Sequence, residues 1–250
     1  MSGHSKWASI KHKKGALDAK RGKIFTKLIR EITVAAREGG GNLDANPRLR
    51  LAVQKAKDAN MPADNIERGV KKGTGELEGV SYENVSFEGY GPMGVAVIVE
   101  GLTDNRNRTT SDVRAIFSKR GGNMAGAGSV AFQFERKGVF IVKKSDAKEE
   151  ELMDIILDAG AEDLTADEDF LEITCAPQDF DKVRTALTAK GVKLDSGELS
   201  MVPKNTVKIG DADTARKILV LVEELEDNDD VQNVYSNFDI PDEILKQMEE

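Results

Sequence analysis

The sequence predicts an α+β protein in which an N-terminal three-helix bundle precedes two α+β (ferredoxin-like) domains, one inserted in the other. Three observations support this prediction. Apolar residues recur at helical spacing up to Gly73, and after the polar, glycine-rich stretch "KKGTGELEG" (71–79) they alternate as in strands. From Val139 onward the predicted elements follow the order β-α-β-β-α-β. These two periods distinguish helices from strands, and that order is typical of ferredoxin-like domains.

Three helices are predicted in residues 1–76, behind a basic arm. The first covers 18–38, with apolar residues on one arc and basic residues on the opposite arc, and ends at the glycines of 39–41. Asn46 is placed to cap the second helix, and Pro62 to begin the third. A shared apolar seam along three short helices predicts a small bundle.

Five elements are predicted between the glycine-rich stretch and Lys144. They are the strands "YENVSFEGY" and "GVAVIVEGL", the helix "TTSDVRAIFSKRGG", and the strands "SVAFQFER" and "GVFIVKK". Thr109 and Asp112 are expected to form the capping box of this helix, since a hydroxyl followed three residues later by an acid is the usual signature.

The rest of the chain continues the mixed pattern. We expect a helix at about 146–159, strands within 162–175, a helix at about 178–190, a strand at about 193–202, a helix at about 211–226 and the strand "VQNVYSN". The last helix and strand are too small for a core of their own, but they can complete the sheet begun at 81–135. The predicted domains are 1–76, the discontinuous 80–136 plus 205–240, and the inserted ferredoxin-like 137–204.

Charge is strongly segregated along the chain. Residues 1–72 contain 17 Lys and Arg against 7 Asp and Glu, net +10, whereas 73–250 contain 19 against 37, net −18. Most of the acids lie in 145–250, with 10 basic and 29 acidic residues, net −19. Blocks of opposite sign indicate the partners of a protein more than its fold, so the front end is expected to meet polyanions.

Composition excludes several classes of protein. There is no apolar run long enough for a membrane span and no apolar stretch of a signal peptide after the basic start, so a cytoplasmic protein is expected. Cys175 is the single cysteine, which excludes an internal disulfide and a cysteine-based zinc cluster. Its strand-like setting, "FLEITCA", favours a buried, inert thiol.

No motif argues for catalysis or for a cofactor. "GYGPMG" matches G-x-G-x-x-G, but it joins two predicted strands, whereas a dinucleotide site needs a strand followed by a helix. The two histidines, His4 and His12, have no carboxylate near them that would complete a metal site. We therefore expect a protein that is not an enzyme and has no catalytic residues, metal or cofactor.

The basic front end favours nucleic-acid binding. The stretch "SKWASIKHKKGALDAKRGK" (5–23) carries seven Lys and Arg against one acid, and such residues bind phosphates and release counterions. Trp7 is placed to stack on an exposed base or to pack on the first helix, and His12 to face solvent or a phosphate. The alternative is a basic helix face that only confers solubility. The loop "SKRGGNMAGAGS" (118–129) is either an anion-binding nest of glycine amides or a plain loop. The acidic run "EELEDNDD" (223–230) is expected to be solvated.

Long motifs make the chain similar to a known family. They include "GHSKWASIKHKKGALDAKRGKIFTKLIREITVAAREGGG", "NPRLRLAVQKAKDANMPADNIERGVKKGTGE", "FEGYGPMG", "LTDNRNRTTSDVRAIFSKRGGNM", "GSVAFQFERKG" and "SMVPKNTV". On these stretches, from residue 2 to about 240, the chain resembles the YebC/PmpR family. The resemblance implies a helical bundle and two α+β domains, the second inserted in the first, with no cofactor and no catalytic residue.

The resemblance also implies a binding surface and two alternative roles. The family's basic face falls on Lys6, Lys11, Lys13, Lys14, Lys20, Arg21, Lys23, Lys27, Arg30, Arg48 and Arg50. Trp7 and His12 are expected to bind nucleic acid as well, by stacking on a base and by facing a phosphate. Bacterial members are described as DNA-binding transcriptional regulators, and a mitochondrial relative as a translational activator. We therefore expect a DNA-binding transcriptional regulator or, alternatively, a ribosome-associated, rRNA-binding translation factor, with protein partners for the acidic domains. An enzyme or small-molecule sensor that uses clefts between the domains is a third alternative.

Overall fold

A computed structural model describes residues 21–166 and 169–249, and it has the mixed helical and sheet architecture that the sequence predicts. The helices are α1 (Arg21–Gly39), α2 (Pro47–Asp58), α3 (Ala63–Thr74), α4 (Arg106–Lys119), α5 (Glu149–Leu157), α6 (Phe180–Ala189), α7 (Ala212–Asp227) and α8 (Asp242–Glu249). The strands are β1 (Glu83–Tyr90), β2 (Ala96–Thr103), β3 (Asn123–Ala125), β4 (Phe134–Lys143), β5 (Ala161–Ala166), β6 (Phe170–Cys175), β7 (Ser196–Pro203), β8 (Val207–Lys208), β9 (Val231–Ser236) and β10 (Phe238–Asp239).

Helices α1, α2 and α3 form the N-terminal bundle around a core that includes the fully buried Ile32 and Leu49. Asn46 caps α2, because its Oδ1 accepts from the Leu49 amide at 3.0 Å while its Nδ2 donates to the carbonyl of Ala35 at 2.8 Å. Helix α3 packs closely on α1 at Gly73, where a Cβ would lie 2.4 Å from the Thr33 carbonyl oxygen. The bundle thus depends on a position where only glycine fits.

The first sheet has the order β3-β1-β2-β9 and is antiparallel throughout. Strand β9 pairs with β2, so the tail of the chain joins a sheet begun more than a hundred residues earlier. Helices α4 and α7 cover one face of this sheet with buried side chains such as Phe117 and Leu221. Ile98 of β2 and Tyr235 of β9 belong to a second buried apolar cluster.

The second sheet lies between β1-β2 and β9 in the sequence. Its order is β5-β6-β4-β7, all antiparallel, with α5 and α6 packed on it through Leu152, Ile156, Val183 and Leu187. This strand order and the β-α-β-β-α-β sequence of elements are those of a ferredoxin-like fold. The exact limits of the three domains stay a prediction. A short parallel pair, β8 with β10, follows β7.

Two local predictions were wrong. Thr109 and Asp112 do not form a capping box, because α4 begins three residues earlier and Asn105 Oδ1 caps it by accepting from the Arg108 amide at 3.1 Å. "SVAFQFER" and "GVFIVKK" are not two strands. The first stretch contains a 3₁₀ turn at Ala131–Gln133, and the single strand β4 then runs through Gly138, which leaves room for the ring of Phe180.

Candidate nucleic-acid interface

The predicted nucleic-acid ligands divide into two groups. Lys6, Trp7, Lys11, His12, Lys13, Lys14 and Lys20 lie outside the described residues, and so does the side chain of Arg21. Of the residues predicted to bind nucleic acid, the structure describes the side chains of Lys23, Lys27, Arg30, Arg48 and Arg50, all on α1 and α2. Each of these five side chains contacts another part of the chain.

Lys23, Lys27 and Arg30 form a basic stripe on α1, since residues spaced by four and three positions share one face of a helix. Lys23 Nζ donates to the carbonyl of Asp227 at 3.1 Å, and Lys27 Nζ to that of Glu226 at 2.5 Å. Both carbonyls belong to the last turn of α7, where helix carbonyls lack partners and carry negative partial charge. The basic stripe therefore caps the C-terminal end of α7.

Arg30 continues this contact into a buried ion-pair network. Its Nη1 lies 2.6 Å from Asp230 Oδ1, and the two side chains are 15% and 5% exposed. Asp230 Oδ2 also accepts from Arg108 at 2.7 Å and from the Thr109 hydroxyl at 2.7 Å. Burial raises the pKa of this carboxyl, but hydrogen bonds and charges from Arg108, Thr109 and Arg30 outweigh it and lower the pKa to about 2. Asp230 thus joins α1 and α4 to the loop after α7.

Arg48 and Arg50 are also held within the protein. Arg48 Nε lies 2.8 Å from Glu31 Oε1 and its Nη1 2.5 Å from Glu38 Oε2. Arg50 donates to the carbonyl of Leu43 at 3.1 Å. Both arginines therefore contribute contacts within the protein, whether or not they also bind phosphates.

A cleft of about 1160 Å³ lies next to the basic stripe. Its lining includes Lys23, Lys27, Arg48 and Lys55 of the bundle, Glu223, Glu226 and Asp227 of α7, and Asn233 and Tyr235 of β9. Lys55 Nζ lies 2.7 Å from Glu198 Oε2 of β7. The cleft is therefore lined by both basic and acidic side chains.

The glycine-rich loop after β3 has its own internal anion. The carboxylate of Glu88, only 8% exposed, accepts from the amides of Gly128, Val130 and Ala131 at 2.7, 2.6 and 2.9 Å. Burial raises the pKa of Glu88, but these three amides outweigh it and lower the pKa overall. The amides of this loop are thus occupied by Glu88, and sequence alone gave no sign of that acid's role.

Other candidate chemistry is sparse in the part of the chain that the structure describes. Cys175 is buried, as predicted, and burial with nearby acids raises the pKa of its thiol to about 11. Residues 21–166 and 169–249 hold no group of three His, Cys, Asp or Glu side chains suited to a metal ion. No helix within the same residues has the length and apolar character needed to cross a membrane.

Family models cover nearly the whole chain. The model of the TACO1/YebC protein N-terminal domain matches residues 5–76, and that of the TACO1/YebC second and third domain matches residues 82–238. This chain belongs to the TACO1/YebC family. In this chain, the contact between the basic stripe and α7 therefore joins the N-terminal domain to the segment that the second family model covers.

Similar proteins cover this TACO1/YebC chain from end to end. A "probable transcriptional regulatory protein" from Syntrophobacter fumaroxidans is 58% identical over 245 residues, 98% of each chain. One of the same name from Rubrobacter xylanophilus is 58% identical over 249 residues, 99% of each chain. Among solved structures, the conserved hypothetical protein Aq1575 from Aquifex aeolicus is 50% identical, with a TM-score of 0.83, covering 90% of this chain and 92% of its own. The two curated relatives are thus named as regulatory proteins, and the solved structure shares this fold.

Proposed function

We propose that this protein is a non-enzymatic regulator of gene expression that binds duplex DNA through its basic N-terminal arm and bundle. The observation that carries the proposal is the charge segregation, net +10 in residues 1–72 against −18 in the remainder. Lysine and arginine concentrated on one part of a protein neutralise phosphates and release counterions, which supplies most sequence-independent affinity. The names of the relatives support a role in transcription.

The arm is the main contact surface in this proposal. It carries Lys6, Lys11, Lys13 and Lys14, and Lys20 follows in the predicted first helix. The bundle adds exposed cations, Lys57 on α2 and Arg68 and Lys72 one turn apart on α3, which form no ion pair or hydrogen bond within residues 21–166 and 169–249. Arg30 and Arg48 contribute less, because their guanidinium groups are engaged by acids of the protein.

The proposed contacts are to phosphates more than to bases. A recognition helix presents basic and polar side chains to the major groove. The exposed face of α3 instead mixes signs, with Asp64 and Glu67 beside Arg68. We therefore expect binding that tolerates many sequences and falls steeply with salt.

A second candidate function is that of a translation factor that binds ribosomal RNA. The observation that favours it is the net charge of −19 in residues 145–250, part of which lies beside the bundle in the last turn of α7. Such a surface is repelled by a naked duplex, whereas a ribosome offers both RNA phosphates and basic proteins. In this role the arm contacts RNA and the acidic domains contact protein.

The first test compares two variants with equal changes of charge. In the arm variant, Lys11, Lys13 and Lys14 of the arm and Lys23 of α1 are replaced by Ala. In the control, Lys182, Lys190, Lys193 and Lys208, exposed lysines of the acidic part, are replaced by Ala. The arm variant is expected to bind DNA and RNA more weakly, and its slope of log K against log salt falls by about 0.9 per lost phosphate contact on duplex DNA. Equal binding by the two variants would refute the role of the arm.

The second test distinguishes DNA from the ribosome. Tagged protein in lysate is partitioned between ribosomal fractions on a gradient and sheared chromosomal DNA, with and without nuclease, at two salt concentrations. Retention on DNA and not on ribosomes supports the transcriptional role. Comigration with ribosomes that the arm variant loses would instead establish the translation factor.

A further inference from the structure

We propose that the last turn of α7 competes with nucleic-acid phosphates for Lys23 and Lys27, so that the protein caps part of its own basic surface until a polyanion displaces the cap. This inference rests on the proposed function, since it concerns the same surface. In this proposal, the contact between α1 and α7 regulates access of nucleic acid to Lys23 and Lys27.

The two kinds of partner offer these lysines the same chemistry. Lys23 and Lys27 donate to the carbonyl oxygens of Asp227 and Glu226 at 3.1 and 2.5 Å. The C-terminal end of a helix carries roughly half a negative charge, so it attracts an ammonium group as a phosphate does. Each ammonium has three N–H donors, but beside this acidic turn its charge is partly neutralised and a phosphate must approach the same acids, so the two partners compete.

The acidic side chains of this turn strengthen the cap. Glu223, Glu226 and Asp227 line the same cleft as Lys23 and Lys27. Opposite charges that line one cleft attract each other, and those acids also repel an approaching phosphate. Neutralising them weakens the cap and removes the repulsion, so both effects act in the same direction.

Burial decreases along the contact between α1 and α7, from Arg30 to Lys23, so the exposed end can open by itself. Arg30 and Asp230 lie at its buried end, with side chains 15% and 5% exposed. Lys23, by contrast, is exposed and Lys27 is half-buried. Exposed ion contacts are individually weak, whereas a buried pair is costly to break. We therefore expect Lys23 and Lys27 to leave α7 while Arg30 stays in place and anchors the bundle.

The test neutralises the acids of the cap in the full-length protein. The cap variant is Glu223→Gln/Glu226→Gln/Asp227→Asn, and it leaves Glu224 intact because that residue pairs with Arg120. The control variant is Glu149→Gln/Glu150→Gln/Asp154→Asn, exposed acids of α5 that do not line the cleft. Both variants change the net charge equally and by the same substitutions. Circular dichroism and urea unfolding confirm that each is folded.

Binding to a 30-base-pair duplex and to an RNA hairpin is then measured by fluorescence anisotropy across a salt series. The cap variant is expected to bind about tenfold more tightly than the control, because the carbonyl contacts remain but the acids that strengthen them and repel phosphates have lost their charge. Its slope of log K against log salt is expected to steepen by about 1.8 on the duplex, for two additional phosphate contacts. Distant acids are screened beyond about 8 Å at physiological salt, so the control resembles the unsubstituted protein.

The outcomes separate this inference from the proposed function. Equal affinity of the cap and control variants, with clear binding by the unsubstituted protein, refutes the cap and leaves the proposed function intact. Absence of binding by all three proteins at low salt refutes the proposed function and the cap with it. Binding that appears only in the cap variant supports both.

Discussion

Asp230 joins the bundle to the first sheet through a buried ion-pair network, and its substitution is expected to destabilise the protein in a pH-dependent way. Its carboxylate is 5% exposed and accepts from Arg30, Arg108 and Thr109. The substitution Asp230→Asn keeps the shape of the side chain and removes its charge. The matched control is Asp229→Asn, an exposed neighbour with the same change of charge.

The magnitude follows from the pKa of Asp230, which is lowered from 3.8 to about 2 in the folded protein. At about 1.4 kcal/mol per pH unit, the charged form contributes about 2 kcal/mol to the free energy of unfolding at neutral pH. Because the folded pKa is depressed, this contribution is complete above the unfolded pKa and is lost as pH falls through the folded pKa. At pH 3 it is about half as large, or about 1 kcal/mol.

The assay is urea unfolding at pH 7 and at pH 3, followed by circular dichroism. Asp230→Asn is expected to lose about 2 kcal/mol at pH 7 relative to the unsubstituted protein, and this gap is expected to narrow to about 1 kcal/mol at pH 3. Asp229→Asn is expected to stay within about 0.5 kcal/mol at both. An Asp230→Asn variant as stable as the control at pH 7, or a gap that does not narrow in acid, would refute the reasoning.

Three further outcomes are expected. Glu88→Gln should lower the free energy of unfolding by about 2 kcal/mol and speed hydrogen exchange of the loop amides that this carboxylate holds; unchanged exchange would contradict the assignment. Gly73→Ala should lower the free energy of unfolding, because its Cβ would lie 2.4 Å from the Thr33 carbonyl oxygen. Gly22→Ala, in open space on α1, should instead raise the free energy of unfolding by up to about 1 kcal/mol, and thermal unfolding measures both. Cys175, with a thiol pKa near 11, should not react with a chromogenic disulfide at pH 8 unless urea is added; rapid reaction of the folded protein would show that the thiol is accessible.

Elements that depend on local spacing were predictable from the sequence. The three helices of the bundle follow from apolar periodicity together with the Asn46 cap, and the ferredoxin-like order follows from alternating strands and helices. Thr109 is an example of a residue whose partner could not be predicted from its neighbours in the sequence. Its hydroxyl suits a helix cap, but in the structure it donates to Asp230, a partner 121 residues away that no local pattern reveals. Glu88 is a second example, because an acid in an alternating strand is expected to face solvent.

The candidate site was predictable in its charge but not in its contacts. The sequence indicates that Lys23, Lys27 and Arg30 share one helix face, and they do. It also indicates that the acidic run 223–230 is solvated, whereas the carbonyls of that run accept from this face. Sequence spacing describes which side chains share a surface, but the partner of that surface depends on how elements about 200 residues apart pack.

The residues of the basic stripe therefore differ in role, although their helical spacing is the same. Arg30 is buried with Asp230 and is a structural residue, whereas Lys23 is exposed and its contact is exchangeable. The substitution of Arg30 is expected to change folding and that of Lys23 to change binding, although both belong to one face of one helix. Because Lys23 gives up the α7 carbonyl when it contacts a phosphate, the affinity it contributes is the difference between two similar interactions. A modest contribution from Lys23, and a larger one from lysines of the arm, is the consequence.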